Sequence, residues 1–175
     1  MSDVDLTVML SSKRNQSGLL IVKERGSGKI LGTFEALGRG SQGSGDTQMT
    51  VDGNTPTGEY EVEKMEATAG WNQSSYGPNG ALRLRPVSGN ALAAEQIAGR
   101  QGLLVHGGRP GANGYWRGGG ELRATHGCLR LRDEDVNRLV SLLFEASNDA
   151  QSNRCQTINV RLTVTDHQAS FVRPK

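Results

Sequence analysis

The chain has 175 residues, room for one domain with a substantial core and little more. Hydrophobic residues make up 35% and aromatics only 5%, so the core rests on Leu, Val and Ile, while 24 glycines, about twice the usual share, call for many turns and shaped loops. A net charge of +2 gives no electrostatic footprint for nucleic acid, and no apolar run approaches the ~20 residues of a membrane helix, so membrane insertion is not expected either.

The N-terminus, Met1-Ser-Asp-Val-Asp, is acidic and carries no secretory signal pattern. A substrate outside the cytoplasm would then require a dedicated export route or a trimmed chain. Residues 5–10 alternate, with Leu6, Val8 and Leu10 on one face, and read as a first strand. Residues 19–24 and 30–37 form the next two. Turn chemistry at Arg14-Asn15-Gln16-Ser17-Gly18 and Arg25-Gly26-Ser27-Gly28 joins them into a hairpin meander. Residues 38–45 are a Gly/Ser-rich connection. Thr55-Pro56-Thr57-Gly58 marks a tight corner before a strand over 59–64, where Tyr60 and Val62 alternate with charges.

Residues 66–80 read as a polar loop holding Trp71 and Tyr76. A short strand follows over 81–85, with Leu82 and Leu84 opposite Arg83 and Arg85, and then a short helix over 91–98. Residues 102–106 are a compact apolar strand running into a Gly-rich loop. The clearest helix starts at Asp133, a suitable N-cap with Glu134 and Asp135 in the first turn. Val136, Leu139, Val140 and Leu143 fall on one face of it. Residues 157–165 alternate again, with Ile158, Val160, Leu162 and Val164 inward, as the last strand. No internal repeat or linker divides the chain, so residues 1–175 read as a single mainly-β domain, a sandwich or barrel with one or two helices and a tail over 166–175.

Chemistry concentrates between residues 103 and 131, which hold two of the three histidines and one of the two cysteines. A thiol nucleophile needs an imidazole as base or ion-pair partner. His106 ends one strand and Cys128 lies just before the helix, both where elements meet loops. His126 is two residues from Cys128, so in an extended backbone the two side chains share a face. Gly127 between them permits close substrate approach, and the amides around it are candidates for an oxyanion hole. Six arginines fall between 100 and 132 against one acid, Glu121. A solvated basic face explains any one of them, but Arg130, two residues from Cys128, is the exception, suited to a carboxylate. A zinc site of His106, His126 and Cys128 is a competing arrangement, without the C-x-x-C or H-E-x-x-H spacing that would support it. Cys155 has no histidine near it and reads as structural.

The segment His106-Gly107, followed by Thr125-His126-Gly127-Cys128-Leu129-Arg130, resembles the signature of the L,D-transpeptidase (YkuD-type) catalytic domain. Thr55-Pro56-Thr57-Gly58-Glu59-Tyr60 is similar to a second motif of that family, a turn that precedes a strand. The resemblance spans roughly residues 30–165. It implies an L,D-transpeptidase-like β-sandwich with Cys128 in a cleft, and an enzyme of peptidoglycan stem peptides acting in the periplasm or cell envelope. It also implies attack by Cys128 on the bond between meso-diaminopimelate and a terminal D-Ala, an acyl-enzyme, and transfer to an amine or to water. No cofactor or metal is implied. His106 takes the role of base, and His126 orients the site. Arg130 holds a substrate carboxylate or a loop, Thr125 fills the Ser/Thr position, and Gly107 and Gly127 line the substrate path. Residues 109–120, longer than the family spacing leads one to expect, carry Tyr115 and Trp116 and suit a lid or a determinant of substrate choice. A toxin exported into competitors is a further hypothesis, which adds secretion machinery and an immunity protein as partners. A sortase-like cysteine transpeptidase and a non-catalytic peptidoglycan-binding module are the alternatives. The first lacks its Thr-Leu-x-Thr run here, and the second has no need of a thiol.

Overall fold

The computed structural model describes residues 4–42, 47–108, 122–147 and 159–167. Among these the elements are β1 (Val4–Ser11), β2 (Gly18–Glu24), β3 (Ile30–Ala36), β4 (Gly58–Glu66), α1 (Gln73–Tyr76), β5 (Ala81–Ser88), α2 (Gly89–Ala98), β6 (Leu104–His106), β7 (Leu129–Arg130), α3 (Asp133–Ser147) and β8 (Val160–His167). The strands form one sheet in the order β3-β2-β1-β8-β4-β5-β6-β7. Its two ends are bridged where Leu37, just after β3, pairs with Arg130 of β7. The fold is therefore mainly β, an almost closed barrel of eight described strands with three described helices.

The meander β1-β2-β3 is antiparallel throughout, as the turn chemistry implies. β8 returns from the C-terminal side to lie parallel to β1 and antiparallel to β4, so it joins the two halves of the sheet. Alternation sets what each strand buries. Val4, Leu6, Val8 and Leu10 of β1, Val160, Leu162 and Val164 of β8, and Leu82 and Leu84 of β5 belong to one core cluster. From α3, Val136, Leu139, Leu142 and Leu143 enter the same cluster. Val140, expected on that face, is only partly buried, because the stripe is centred on the 136/139/143 row and takes in Leu142 instead.

Four differences from the sequence reading have local causes. β5 runs past Arg85 to Ser88, because a register shift opposite Glu59 and Tyr60 accommodates Pro86, which has no amide to give the ladder. The four-residue α1 inside the polar loop adds a third helix; Asn72 caps it by accepting from the Ser75 amide. β7, with two residues, is too short to leave a periodic trace. Asp166 and His167, assigned to a tail, continue β8, and Asp166 is ion-paired with the buried Arg14. Ile158 and Cys155 lie outside the described residues.

Candidate active site

β6 and β7 run parallel, with Val105 opposite Leu129 and His106 opposite Arg130. Paired residues share a face, so His106 and Arg130 project to one side of this pair, and Cys128 lies two residues before Arg130, just outside β7. The Cys128 sulfur accepts a hydrogen bond from the Leu104 amide, 3.3 Å away, which ties Cys128 to the strand that carries His106. Cys128 is a free thiol, half-buried.

His106 is 2% exposed. Its Nδ1 lies 2.7 Å from the Gly107 carbonyl oxygen and donates to it, which leaves Nε2 as the acceptor. Burial, and after it the Arg130 charge, push the His106 pKa down to about 4, against the opposing effect of the Gly107 carbonyl. The ring also meets Tyr76 at a centroid distance of 5.1 Å, and Tyr76 in turn meets Trp71 edge-on at 5.1 Å. Burial pushes the Cys128 thiol above its ordinary range; the Leu104 amide and the Arg130, Arg100 and Arg83 charges act in the opposite direction. Burial thus favours the neutral form of both groups, a thiol at Cys128 and an uncharged imidazole at His106.

Arg130 is 4% exposed, and its Nη1 donates to the carbonyls of Gly107, at 3.0 Å, and Gly108, at 2.5 Å. Of the two roles expected for it, the geometry matches the holding of a loop. The same loop is fixed from its other side by Asp133, whose Oδ1 accepts from the Gly108 amide at 2.7 Å. Asp133 thus acts across the fold, where the sequence pointed only to a helix cap. A Cβ on Gly107 would overlap this carboxylate, so the tight His106-Gly107-Gly108 path requires glycine there. The carbonyl of Gly107, a residue expected to line the substrate path, is engaged by His106 and Arg130.

The turn before the nucleophile corrects two expectations. Gly127 has φ +107°, so the backbone is not extended and His126 does not share the Cys128 face. His126 is instead turned to solvent, with a 78% exposed side chain 3.2 Å from Asp52 and 3.5 Å from the Ser41 hydroxyl. The trio His106, His126 and Cys128 accordingly does not converge as a metal-binding set. The Gly127 amide, a candidate oxyanion donor, donates at 3.0 Å to the Thr125 hydroxyl, which itself donates to the Cys128 carbonyl at 2.9 Å. Thr125 therefore shapes the nucleophile turn.

The link between the two motifs was not legible from spacing. The buried Thr55 hydroxyl donates to the Gly127 carbonyl at 2.7 Å. Arg14 holds the Thr55 carbonyl from the far side at 3.0 Å, and the Tyr60 hydroxyl donates to the Pro56 carbonyl at 2.8 Å. The Thr-Pro-Thr-Gly turn is thus the floor under Gly127 and Cys128. Arg100, grouped by sequence with a solvated basic face, is 6% exposed and bonded beneath the same floor. Tyr115 and Trp116, with the rest of the 109–120 segment, lie outside the described residues.

A family model described as YkuD, L,D-transpeptidase catalytic domain, matches residues 12–146. Three solved structures are similar. Bd1075 of Bdellovibrio bacteriovorus matches with 17% identity and a TM-score of 0.60 over 95% of this chain and 49% of its own. The helical cell shape determining protein Pgp2 of Campylobacter jejuni matches with 17% identity and a TM-score of 0.50 over 99% of this chain and 51% of its own. An L,D-transpeptidase of Xylanimonas cellulosilytica matches with 17% identity and a TM-score of 0.48, over 94% and 61%. The chain spans about half the length of the first and second of these, and at such identity the likeness concerns the fold. No curated protein matches the sequence.

Proposed function

The chain belongs to the YkuD family of L,D-transpeptidase catalytic domains, and from that premise we propose that it is a cysteine acyltransferase acting on peptidoglycan stem peptides in the cell envelope. The observation that carries the proposal is the Cys128 sulfur bonded to the Leu104 amide of β6, the strand that His106 ends, with the His106 tautomer set by the Gly107 carbonyl. The Cys128 sulfur attacks the carbonyl carbon between meso-diaminopimelate and the terminal D-Ala. A carbon–sulfur bond forms as the thiol proton passes to His106. The carbon–nitrogen bond then breaks, the D-Ala amine takes that proton and leaves, and a thioester remains. An acceptor amine gives a cross-link or an exchanged terminal residue; water gives hydrolysis. Metal chemistry has no part in this sequence of steps.

Mass spectrometry of tetrapeptide muropeptides incubated with the protein and with Cys128→Ser tests the reading. Loss of D-Ala, a dimer or a swapped terminal residue, absent with the variant, is the expected result and names the branch. Unchanged muropeptides with a titratable Cys128 would point to a binding module. An antibacterial role is a separate proposal resting on the same chemistry, since unscheduled cleavage or linkage of stems weakens a wall. Expression directed to the periplasm of a susceptible cell should then deform or lyse it, and Cys128→Ser should not. Harmless periplasmic expression of active enzyme removes the toxin reading.

A further inference from the structure

Arg100 follows the left-handed Gly99 that closes α2, and this cap aims the side chain back into the domain. Its Nη1 donates to the carbonyls of Gln48, at 2.5 Å, and Asn54, at 2.7 Å, and its Nη2 to that of Gly53, at 2.9 Å. All three acceptors are neutral, and among the described residues no carboxylate forms an ion pair with it. The guanidinium packs directly against Gly127, where an added Cβ would overlap Nη2. Burial disfavours the Arg100 charge, and the Asp52 carboxylate supports it through space without forming an ion pair; the guanidinium remains a cation in a medium that screens poorly.

We propose that Arg100 is a positioning residue of the active site, which clamps the 48–54 segment under Gly127 and lends its charge to the thiolate of Cys128. The first role follows from the bonds themselves. One side chain satisfies three carbonyls of a segment without regular structure, and that segment leads directly into Thr55, whose hydroxyl fixes the Gly127 carbonyl. The second follows from what else faces the sulfur. Arg130 from β7 and Arg83 from β5 are the other cations, and Arg83 is paired with Glu66. The Leu104 amide comes from β6. Tyr60 comes from β4, and burial holds its phenol in the neutral form. Arg100 is thus one of two buried cations near the nucleophile, and the one on the side of the Gly127 turn. Burial alone would keep the thiol protonated, so nucleophilic attack depends on such charges.

This inference deepens the acyltransferase reading, but its test needs no muropeptide. The rate at which iodoacetamide alkylates Cys128 is followed against pH by peptide-resolved mass spectrometry; the thiolate displaces iodide, and a carbon–sulfur bond replaces carbon–iodine. Arg100→Met and Arg100→Gln should move the midpoint upward, so that alkylation below it slows about tenfold, the size of effect expected for one nearby charge. Arg100→Lys should keep the midpoint close to that of the native protein while turnover of stem peptides falls, because an ammonium supplies the charge without the fork. An unmoved midpoint in the folded neutral variants overturns the electrostatic role. If the neutral variants do not fold, Arg100→Lys decides alone: a raised midpoint or undiminished turnover overturns the proposal. Should the native protein leave every muropeptide unchanged, the acyltransferase reading fails while the alkylation profile still reports on Arg100.

Discussion

The depressed His106 pKa has a consequence for folding that needs no substrate to observe. An unfolded histidine takes up a proton near pH 6.5, whereas the buried ring does so only near pH 4. Between those values the unfolded chain binds more protons, so stability rises with pH and is lost as pH falls from about 6.5 toward 4. Integrating over that window, the step from pH 7.5 to pH 4.5 removes roughly 2.5 kcal/mol through this one residue, a large share of an ordinary domain's stability. In His106→Gln that share of the pH dependence disappears. The assay is urea denaturation of both proteins at the two pH values, followed by tryptophan fluorescence, and the quantity of interest is the change in their stability difference. His126 and His167 are common to both proteins and cancel. Asp5 and Glu66, whose ion-pair partners hold them below the ordinary carboxylate range, begin to lose their contribution near the acid end of this window, but they too are common to both proteins. Parallel pH profiles for the two proteins would show that His106 is not buried as a neutral ring, and the resting pair of thiol and imidazole would have to be abandoned.

Two predictions concern the turn that carries the nucleophile. Thr55→Val should cost about 1–3 kcal/mol, because it leaves the buried Gly127 carbonyl without its donor, and Thr55→Ser should recover most of that; a valine variant within about 0.5 kcal/mol of the native protein in urea denaturation contradicts the bond's importance. Gly127→Ala combines a φ of +107° with overlap of the Arg100 guanidinium, and should lose about 1–3 kcal/mol from the backbone alone. Gly26→Ala, where an added Cβ meets nothing within 4 Å, is the matched control and should be neutral or slightly stabilising in the same thermal melt.

Local patterns in the sequence were enough to find most of the sheet. Leu6, Val8 and Leu10, or Leu162 and Val164, alternate because one face of each strand enters the core, and that periodicity survives without any knowledge of partners. The order of the strands did not show, because β8 reaches β1 across some 150 positions and nothing local records the pairing. The site divides in the same way. His106, Cys128 and Arg130 stood out through residue type and spacing; in the structure His106 lies opposite Arg130, and the Cys128 sulfur meets the Leu104 amide of the His106 strand. His126 was misplaced because spacing by two predicts a shared face only in extended backbone, and a glycine in between permits the positive φ that breaks the alternation. Thr55, Arg14, Arg100 and Asp133 were missed as site residues because each acts on a segment distant in sequence, through carbonyls and amides that every residue possesses.

Two of those residues, Arg14 and Arg100, share a physical logic with Arg130. A site made from Gly-rich loops has few helix or strand bonds to satisfy its backbone, and buried carbonyls without donors are costly. Arg14 supplies Ser11 and Thr55, Arg100 supplies Gln48, Gly53 and Asn54, and Arg130 supplies Gly107 and Gly108. A water molecule would serve such carbonyls as hydrogen-bond donors, but it would bring no net charge and little rigidity. The planar fork fixes several carbonyls at once and leaves a permanent cation beside them. Attack by a thiol creates negative charge on sulfur and then on the carbonyl oxygen of the substrate, in a place where burial otherwise favours neutral groups. Arg100 and Arg130, which hold these loops in shape, thus also supply charge that makes this tolerable. Replacing either Arg100 or Arg130 by a well-packed neutral residue would remove a structural donor and an electrostatic partner in one step, which is why the lysine variant, not the neutral one, separates the two roles.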